Sequence, residues 1–312
     1  TLQFINSEGE KRHIHVNSIS EIYCFGENTL NTKLINFVAK HEILIHFFNY
    51  YSFYTASLIP RKTKIAGKLL VAQVSHYTDE AKRLVLAKAF VLSAGSNIYR
   101  NLRYYHGRGK AVSQTMSEIE TLVNKIEGCT SIPELMGIEG NIHKCYYKAW
   151  HQIINQEIDF QQRVKNPPDN RINTLISFIN TLVYTTVLGE IYKTQLDPTI
   201  SYLHAPGTSR FSLSLDIAEI FKPLIAERMI FSLLNKNMIS ESDFERESNY
   251  LYLKESARKT IVEEYDKRLQ RTIKHKELNR DVSYRYLFRL ECYKLIKHLT
   301  DEKEYEGFKI WW

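Results

Sequence analysis

Apolar and polar positions alternate through the first 60 residues of the chain. Leu2 to Ile5, Arg12 to Val16 and Ile19 to Phe25 are short runs of period two that predict strands, with turn residues from Asn6 to Gly9 between the first two. The spacing then changes. Leu30, Leu34, Phe37 and Val38 recur at helical intervals, after which Ile43 to Phe48 and Phe53 to Ile59 return to the strand pattern. From Thr78 onward the period is helical almost throughout. Thr78 is placed as the N-cap of a long helix carrying Leu84, Val91, Ile98 and Leu102, and Lys62 to His76 reads as a linker before it. Further helices are expected over Met116–Ile126, Ile138–Ile153 and Leu175–Val183. The pattern predicts an α+β chain, with a small N-terminal mostly-β domain and linker over residues 1–76 and a larger all-α domain over residues 77–312.

Composition adds limits to this picture. A chain of 312 residues with 44% hydrophobic content can bury a large core and divide in two. Cys24, Cys129, Cys145 and Cys292 are scattered and form no Cys-x-x-Cys pair, which argues against a zinc knuckle or a disulfide framework and suits a reducing cytoplasm. No apolar run reads as long enough to span a bilayer, and the first residues lack a signal-peptide pattern, so the expectation is a soluble, cytoplasmic protein with no membrane partner. A net charge of +7 favours a polyanionic partner. The stretch from Arg258 to Lys297 is rich in Lys and Arg and interleaved with Tyr265, Tyr284, Tyr286 and Phe288, which offers phosphate contacts; Glu263, Glu264 and Asp266 dilute it.

Candidate chemistry concentrates between Tyr202 and Pro223. His204 lies in a Pro/Gly/Ser loop that enters an amphipathic helix, where Asp216 and Glu219 are three residues apart and share a face. One imidazole and two carboxylates could grip a metal ion; a solvated acidic face beside an ordinary loop histidine accounts for the same spacing. Pro223 has no amide hydrogen to give the Glu219 carbonyl, so a kink or a loosened turn is expected there. Glu139 stands between Gly137 and Gly140 early in a predicted helix. Glycine inside a helix costs about 1 kcal/mol relative to alanine, which points to a close approach by another backbone or a ligand, or to a frayed start. A different site is offered by Arg100 and His106, whose spacing at a helix end is that of metal-independent helical RNases. A non-catalytic DNA-binding scaffold is the third reading.

Ser212 to Pro223 resembles the signature Ser-Leu-x-x-Asp-[Ile/Leu]-x-[Asp/Glu]-x-[Phe/Ile]-[Arg/Lys]-Pro of the CRISPR-associated integrase and endonuclease of spacer acquisition. Gly137-Ile-Glu-Gly140 with Tyr146-Tyr147 resembles a second block of that family, Asn166 to Asn170 with Asn173 a third, and Phe244 to Leu269 its later hairpin-and-helix region, all in family order. The resemblance implies a metal-dependent DNA endonuclease and integrase that inserts spacer DNA into a CRISPR array by attack of a 3′-hydroxyl on a phosphodiester, or of water in nicking. It makes Glu139, His204 and Glu219 both the metal ligands and the catalytic residues, with Asp216 a close neighbour and Lys222 auxiliary. Glu219 is Asp in many relatives, and Lys222, more often Arg, acts only as a point charge toward phosphate. Carboxylates with one imidazole and no thiolate suit Mg²⁺ or Mn²⁺. Family membership further implies double-stranded protospacer and repeat DNA as partners, a homodimer, and assembly of two dimers on a small ferredoxin-like companion. Ile310-Trp-Trp312 is an apolar tail expected to dock on some surface, the chain's own core included.

Overall fold

The computed structural model describes residues 1–6, 8–165, 167–208, 210–247 and 250–312. They form two compact units, Thr1–Ile65 and Ala66–Trp312.

In the first unit, β1 (Leu2–Ile5) and β2 (Lys11–Ile14) form an antiparallel hairpin with Leu2 opposite Ile14. Ser7 of the predicted turn lies outside the described residues, but Asn6 Oδ1 accepts from the Glu8 and Glu10 amides and Gly9 has φ +82°, the left-handed region that glycine enters freely. β3 (Glu21–Phe25) pairs parallel with β4 (Leu44–Phe48), and β4 antiparallel with β5 (Tyr54–Leu58). A parallel pair needs a crossover, and α1 (Thr32–Lys40), N-capped by Asn31, supplies it. Leu2, Val38, Ile43 and Ile45 form the buried core beneath that helix.

The second unit is mostly helical. Its first helix, α2 (Gly67–Thr78), corrects the reading of Lys62–His76 as a linker. Leu69, Gln73 and His76 face inward from it, and the Gln73 amide exchanges two hydrogen bonds with the backbone of Asp197, so the segment is fixed by tertiary contact rather than by its own weak amphipathicity. Thr78 closes α2, its hydroxyl donating back to the Val74 and Ser75 carbonyls; the N-cap of α3 (Glu80–His106) is Asp79, which accepts from the Lys82 amide. α4 (Ser113–Lys125), α5 (Ile132–Ile153) and α6 (Arg171–Tyr192) follow. α6 is long and apolar enough to cross a membrane, which corrects the view that no segment is, and 78% of its most apolar window is buried inside the fold. Thr181, Thr185 and Thr186 break the apolar run in sequence, yet the hydroxyls of all three donate to carbonyls one turn earlier and so cost little in the core.

α7 (Ser212–Lys222) runs into a π-helical turn, Pro223–Glu227, and then α8 (Arg228–Asn235). This is the loosened turn expected from Pro223: the Arg228 amide reaches back five residues to the Pro223 carbonyl. Two buried asparagines of α3 brace it. Asn97 donates to the Ile220 and Phe308 carbonyls, and Asn101 to the Pro223 carbonyl. The hairpin β6 (Phe244–Glu247) with β7 (Tyr250–Leu253), helix α9 (Glu255–Gln270), the hairpin β8 (Thr272–Lys274) with β9 (Asp281–Ser283) and α10 (Tyr284–Leu299) complete the unit, so the predicted all-α region carries two short hairpins. The apolar tail docks on its own unit. Buried Glu291 accepts from the Tyr305 hydroxyl and the Phe308 amide, Phe308 stacks on Phe221 at 5.1 Å, and the Ile310 amide donates to Asn97.

Candidate metal centre

Two helices far apart in sequence build the site. α5 starts at Ser131, whose hydroxyl accepts from the Glu134 amide, with Pro133 in the first turn where its missing N–H costs nothing. One turn further on, Glu139 and His143 are four residues apart and therefore neighbours on one face. α7 brings Glu219 opposite them. His143 Nε2 lies 3.1 Å from Glu139 Oε1 and 3.6 Å from Glu219 Oε2, and one ligand atom from each of the three residues falls within 4.8 Å of the others. Lys222, one turn beyond Glu219, forms an ion pair with its other oxygen.

Electrostatics follow from this packing. Burial alone would push the His143 imidazole down, but hydrogen bonds and charge from Glu139 and Glu219 overcome it and hold the ring up at about 10. Burial would raise the Glu219 carboxyl; the charges of Lys222, His143 and His204 win and keep it well below the usual carboxylate range. The centre thus gathers carboxylate oxygens from two helices beside the His143 ring, with Glu219 buried and Glu139 and His143 partly so, and the oxygens are the donors that a hard divalent cation takes. Glu227, at the end of the π-turn, is pushed up to about 7, chiefly by burial, and its Oε2 has no hydrogen-bond partner.

The sequence-predicted residues divide between two places. Glu139 and Glu219 come together; His204 is not in their cluster. Its Nδ1 is 2.8 Å from Asp216 Oδ1, and Asp216 is fully buried, accepting also from the backbone amides of Tyr202, Leu203 and His204 at 2.7, 3.0 and 2.9 Å. An ionised carboxylate only accepts, so Nδ1 carries the proton and Nε2 is the nitrogen left for other work. Burial lowers the His204 pKa, and Asp216 more than restores it. Asp216 spends both oxygens on the loop and joins no ligand group among the described residues. His143 is the residue that sequence reasoning missed; the i, i+4 spacing from Glu139 was the signal. Of the readings offered for Gly137 and Gly140, close approach by another backbone is not found, because a Cβ on either would meet nothing within 4 Å among the described residues.

The two residues of the rival RNase pair stand in different surroundings. Arg100 lines a cleft with Arg103, Glu120 and Lys309, whereas His106 ends α3 exposed and is absent from that lining. The C-terminal basic stretch is also not a continuous patch: Arg285 and Arg289 converge on buried Glu190, Lys294 on Glu291 and Lys267 on Glu264.

Comparison with known proteins gives one consistent result. The profile of the family described as CRISPR associated protein Cas1 matches residues 1–267. The chain is 59% identical, over its full length and 92% of the relative's, to the CRISPR-associated endonuclease Cas1 of Fusobacterium nucleatum. It is 47% identical, over all of this chain and 95% of the other, to CRISPR-associated endonuclease Cas1 3 of Thermodesulfovibrio yellowstonii. Among solved structures, a CAS1 protein from Thermotoga maritima is 35% identical with a TM-score of 0.87, covering 99% of this chain and 94% of that one. A casposase bound to an integration product shares the fold at 23% identity, with a TM-score of 0.84 over 94% of this chain and 84% of its own.

Proposed function

The chain belongs to the Cas1 family, and from that premise we propose that it is a metal-dependent DNA endonuclease and integrase that joins spacer DNA into a CRISPR array. The observation that carries this reading is the convergence of Glu139 and Glu219, from helices 80 residues apart in the chain, on one partly buried spot beside the His143 ring. Two carboxylates concentrated there repel each other and draw positive charge, which a metal ion can supply in place of His143 and Lys222. A hard divalent ion, Mg²⁺ or Mn²⁺, fits the oxygen-rich set. Glu139, Glu219 and Nε2 of His204 would hold it, and it would supply Lewis acidity toward a phosphodiester.

The rest is work for the chain's own side chains. Asp216 fixes the His204 tautomer and pins the loop backbone, so Nε2 is delivered in one orientation. In the arrangement described, protonated His143 and Lys222 balance the carboxylate charge; both then remain beside the centre as positive groups suited to a phosphate. The partners proposed are double-stranded protospacer and repeat DNA, a second copy of the chain as homodimer, and a small ferredoxin-like companion. A fold neighbour at 19% identity and TM-score 0.82 is part of a Cas6-RT-Cas1–Cas2 complex, which supports that expectation for the fold.

The test is strand transfer of a short duplex with free 3′-hydroxyls into a supercoiled repeat plasmid, companion protein supplied, with Mg²⁺ or Mn²⁺. Joined product is expected with wild type and not with Glu139→Ala. Joining that survives in Glu139→Ala, or in EDTA, sinks the reading.

A further inference from the structure

Ser93, Asn97 and Asn101 follow one another at four-residue intervals along α3, so they form a polar stripe on one face of the helix, and all three are buried. Buried amides are costly unless hydrogen-bonded, so a face that only packed would be apolar here. Asn97 bonds two segments that lie more than 120 residues further along the chain. Its Nδ2 donates to the Ile220 carbonyl at 2.9 Å and to the Phe308 carbonyl at 3.0 Å, and its Oδ1 accepts from the Ile310 amide at 2.7 Å. Ile220 belongs to α7 and directly follows Glu219; Phe308 and Ile310 belong to the apolar tail.

Side-chain packing repeats the link. Phe308 stacks on Phe221 at 5.1 Å, and Phe221 meets Phe288 of α10 edge-on at 4.6 Å. Three consecutive residues of α7 thus have three duties: Glu219 offers a carboxylate to the centre, Ile220 a carbonyl to Asn97, and Phe221 a ring to the tail. The tail has its own anchors. Buried Glu291 accepts from the Tyr305 hydroxyl and the Phe308 amide while its other oxygen pairs with Lys294 at 2.7 Å. Gly307 passes so close to α3 that a Cβ there would lie 2.1 Å from Ser93 Oγ.

We propose that Asn97 is a positioning residue of the metal centre, and that through it the docked tail sets where Glu219 stands. The proposal rests on the reading of Glu139 and Glu219 as metal ligands and adds to it a support outside the centre. A ligand on a helix is placed by its backbone, and Asn97 grips that backbone one residue beyond Glu219 while holding the tail with the same amide group. Metal ligands tolerate only small displacements, so a shifted α7 weakens the grip on the ion. Coupling of this kind is reciprocal: if the docked tail favours the bound ion, the bound ion favours the docked tail by the same factor.

The experiment reads both directions in the full chain. Saturating Mn²⁺ is expected to slow amide exchange at Phe308 and Ile310 of the wild type by about tenfold, and Gly307→Ala, which changes neither Asn97 nor a ligand, to bind Mn²⁺ about tenfold more weakly in calorimetric titration. Glu139→Ala is expected to show no response of the tail to Mn²⁺. Asn97→Leu, with its fold checked by circular dichroism, is expected to bind Mn²⁺ more weakly and to lose the response of the tail; the wild-type and Gly307→Ala measurements stand without it. A purely structural stripe would lower the melting temperature of the variants and leave Mn²⁺ affinity and the tail response as in wild type, which overturns the proposal. A tail that still responds to Mn²⁺ in a folded Asn97→Leu overturns the assignment to Asn97. Wild type that binds no Mn²⁺, or Glu139→Ala that binds it equally well, overturns the metal-centre reading itself.

Discussion

Asp216 offers the sharpest test of how the site is built. Its carboxylate is fully buried and accepts four hydrogen bonds, three from consecutive backbone amides and one from the His204 ring. In Asp216→Asn one oxygen becomes an NH₂ group. Either the Tyr202 and Leu203 amides or the two His204 donors then lose their acceptor and face a donor instead. A hydrogen bond to a charged group contributes roughly 1.5 to 3 kcal/mol, so two of them give a loss of about 3 to 6 kcal/mol. The ring can relieve the lower figure by switching tautomer, which turns Nδ1 into an acceptor and removes Nε2 as a lone-pair donor. His204→Ala removes one of the four bonds, from a partly exposed ring, and is expected to cost about 1 to 2 kcal/mol. Amide hydrogen exchange of the segment 201–205 reads this directly. A loss of about 3 kcal/mol accelerates exchange by opening roughly 150-fold, against about tenfold for His204→Ala. An Asp216→Asn variant that exchanges less than tenfold faster than wild type refutes the reasoning, because the carboxylate would then not be holding the loop.

Calorimetric titration with Mn²⁺ is expected to show no binding in Glu139→Ala or Glu219→Ala, while Lys222→Met binds at least as tightly as wild type because a competing cation has gone; weaker binding in Lys222→Met counts against the site. Glu227 is held near 7 in the fold against an ordinary 4.5, so the folded state keeps its proton longer than the unfolded chain does, and stability present below pH 4.5 is lost as pH rises through about 7. Glu227→Gln should therefore be more stable than wild type at pH 8 by roughly 3 kcal/mol and equal to it near pH 4; thermal melts at the two pH values decide. A Cβ on Gly307 would sit 2.1 Å from Ser93 Oγ and 3.1 Å from the Ala89 carbonyl. Gly307→Ala should lift the tail from α3 at a cost of roughly 1 to 3 kcal/mol, visible as faster exchange at Phe308 and Ile310; an unchanged tail would refute the packing argument.

Much of this was written in the order of residues. The strands of the first unit were legible from short apolar–polar runs bounded by turn residues, even though β2 is exposed along its whole length and β4 is buried on both faces. Pro223 announced the loosened turn because its missing amide hydrogen is a local fact. α2 was not legible, since what fixes it is Gln73 gripping the backbone of Asp197, more than 120 residues away. α6 hid its apolar character behind threonines that bond their own helix. At the site, Glu139 and Glu219 were found through the resemblance, and the partition of roles was not. Spacing placed Asp216 and Glu219 on one face, but only the folded loop shows Asp216 turned to the backbone and Glu219 turned to α5. His143 carried a readable signal in its distance from Glu139.

The π-turn at Pro223–Glu227 has a meaning for chain length. An α-helix advances about 100° per residue, so one residue more in a single turn rotates everything after it by about that much relative to everything before. α7 sets Asp216 toward the loop and Glu219 toward α5, and α8 begins at Arg228 with its phase reset. Deleting one residue here would leave a regular helix of ordinary composition, yet it would turn Arg228 and the apolar side of α8 to the wrong compass bearings. The five residues therefore act as a gearing between two helices, and their number is as much a part of the site as the side chains they carry.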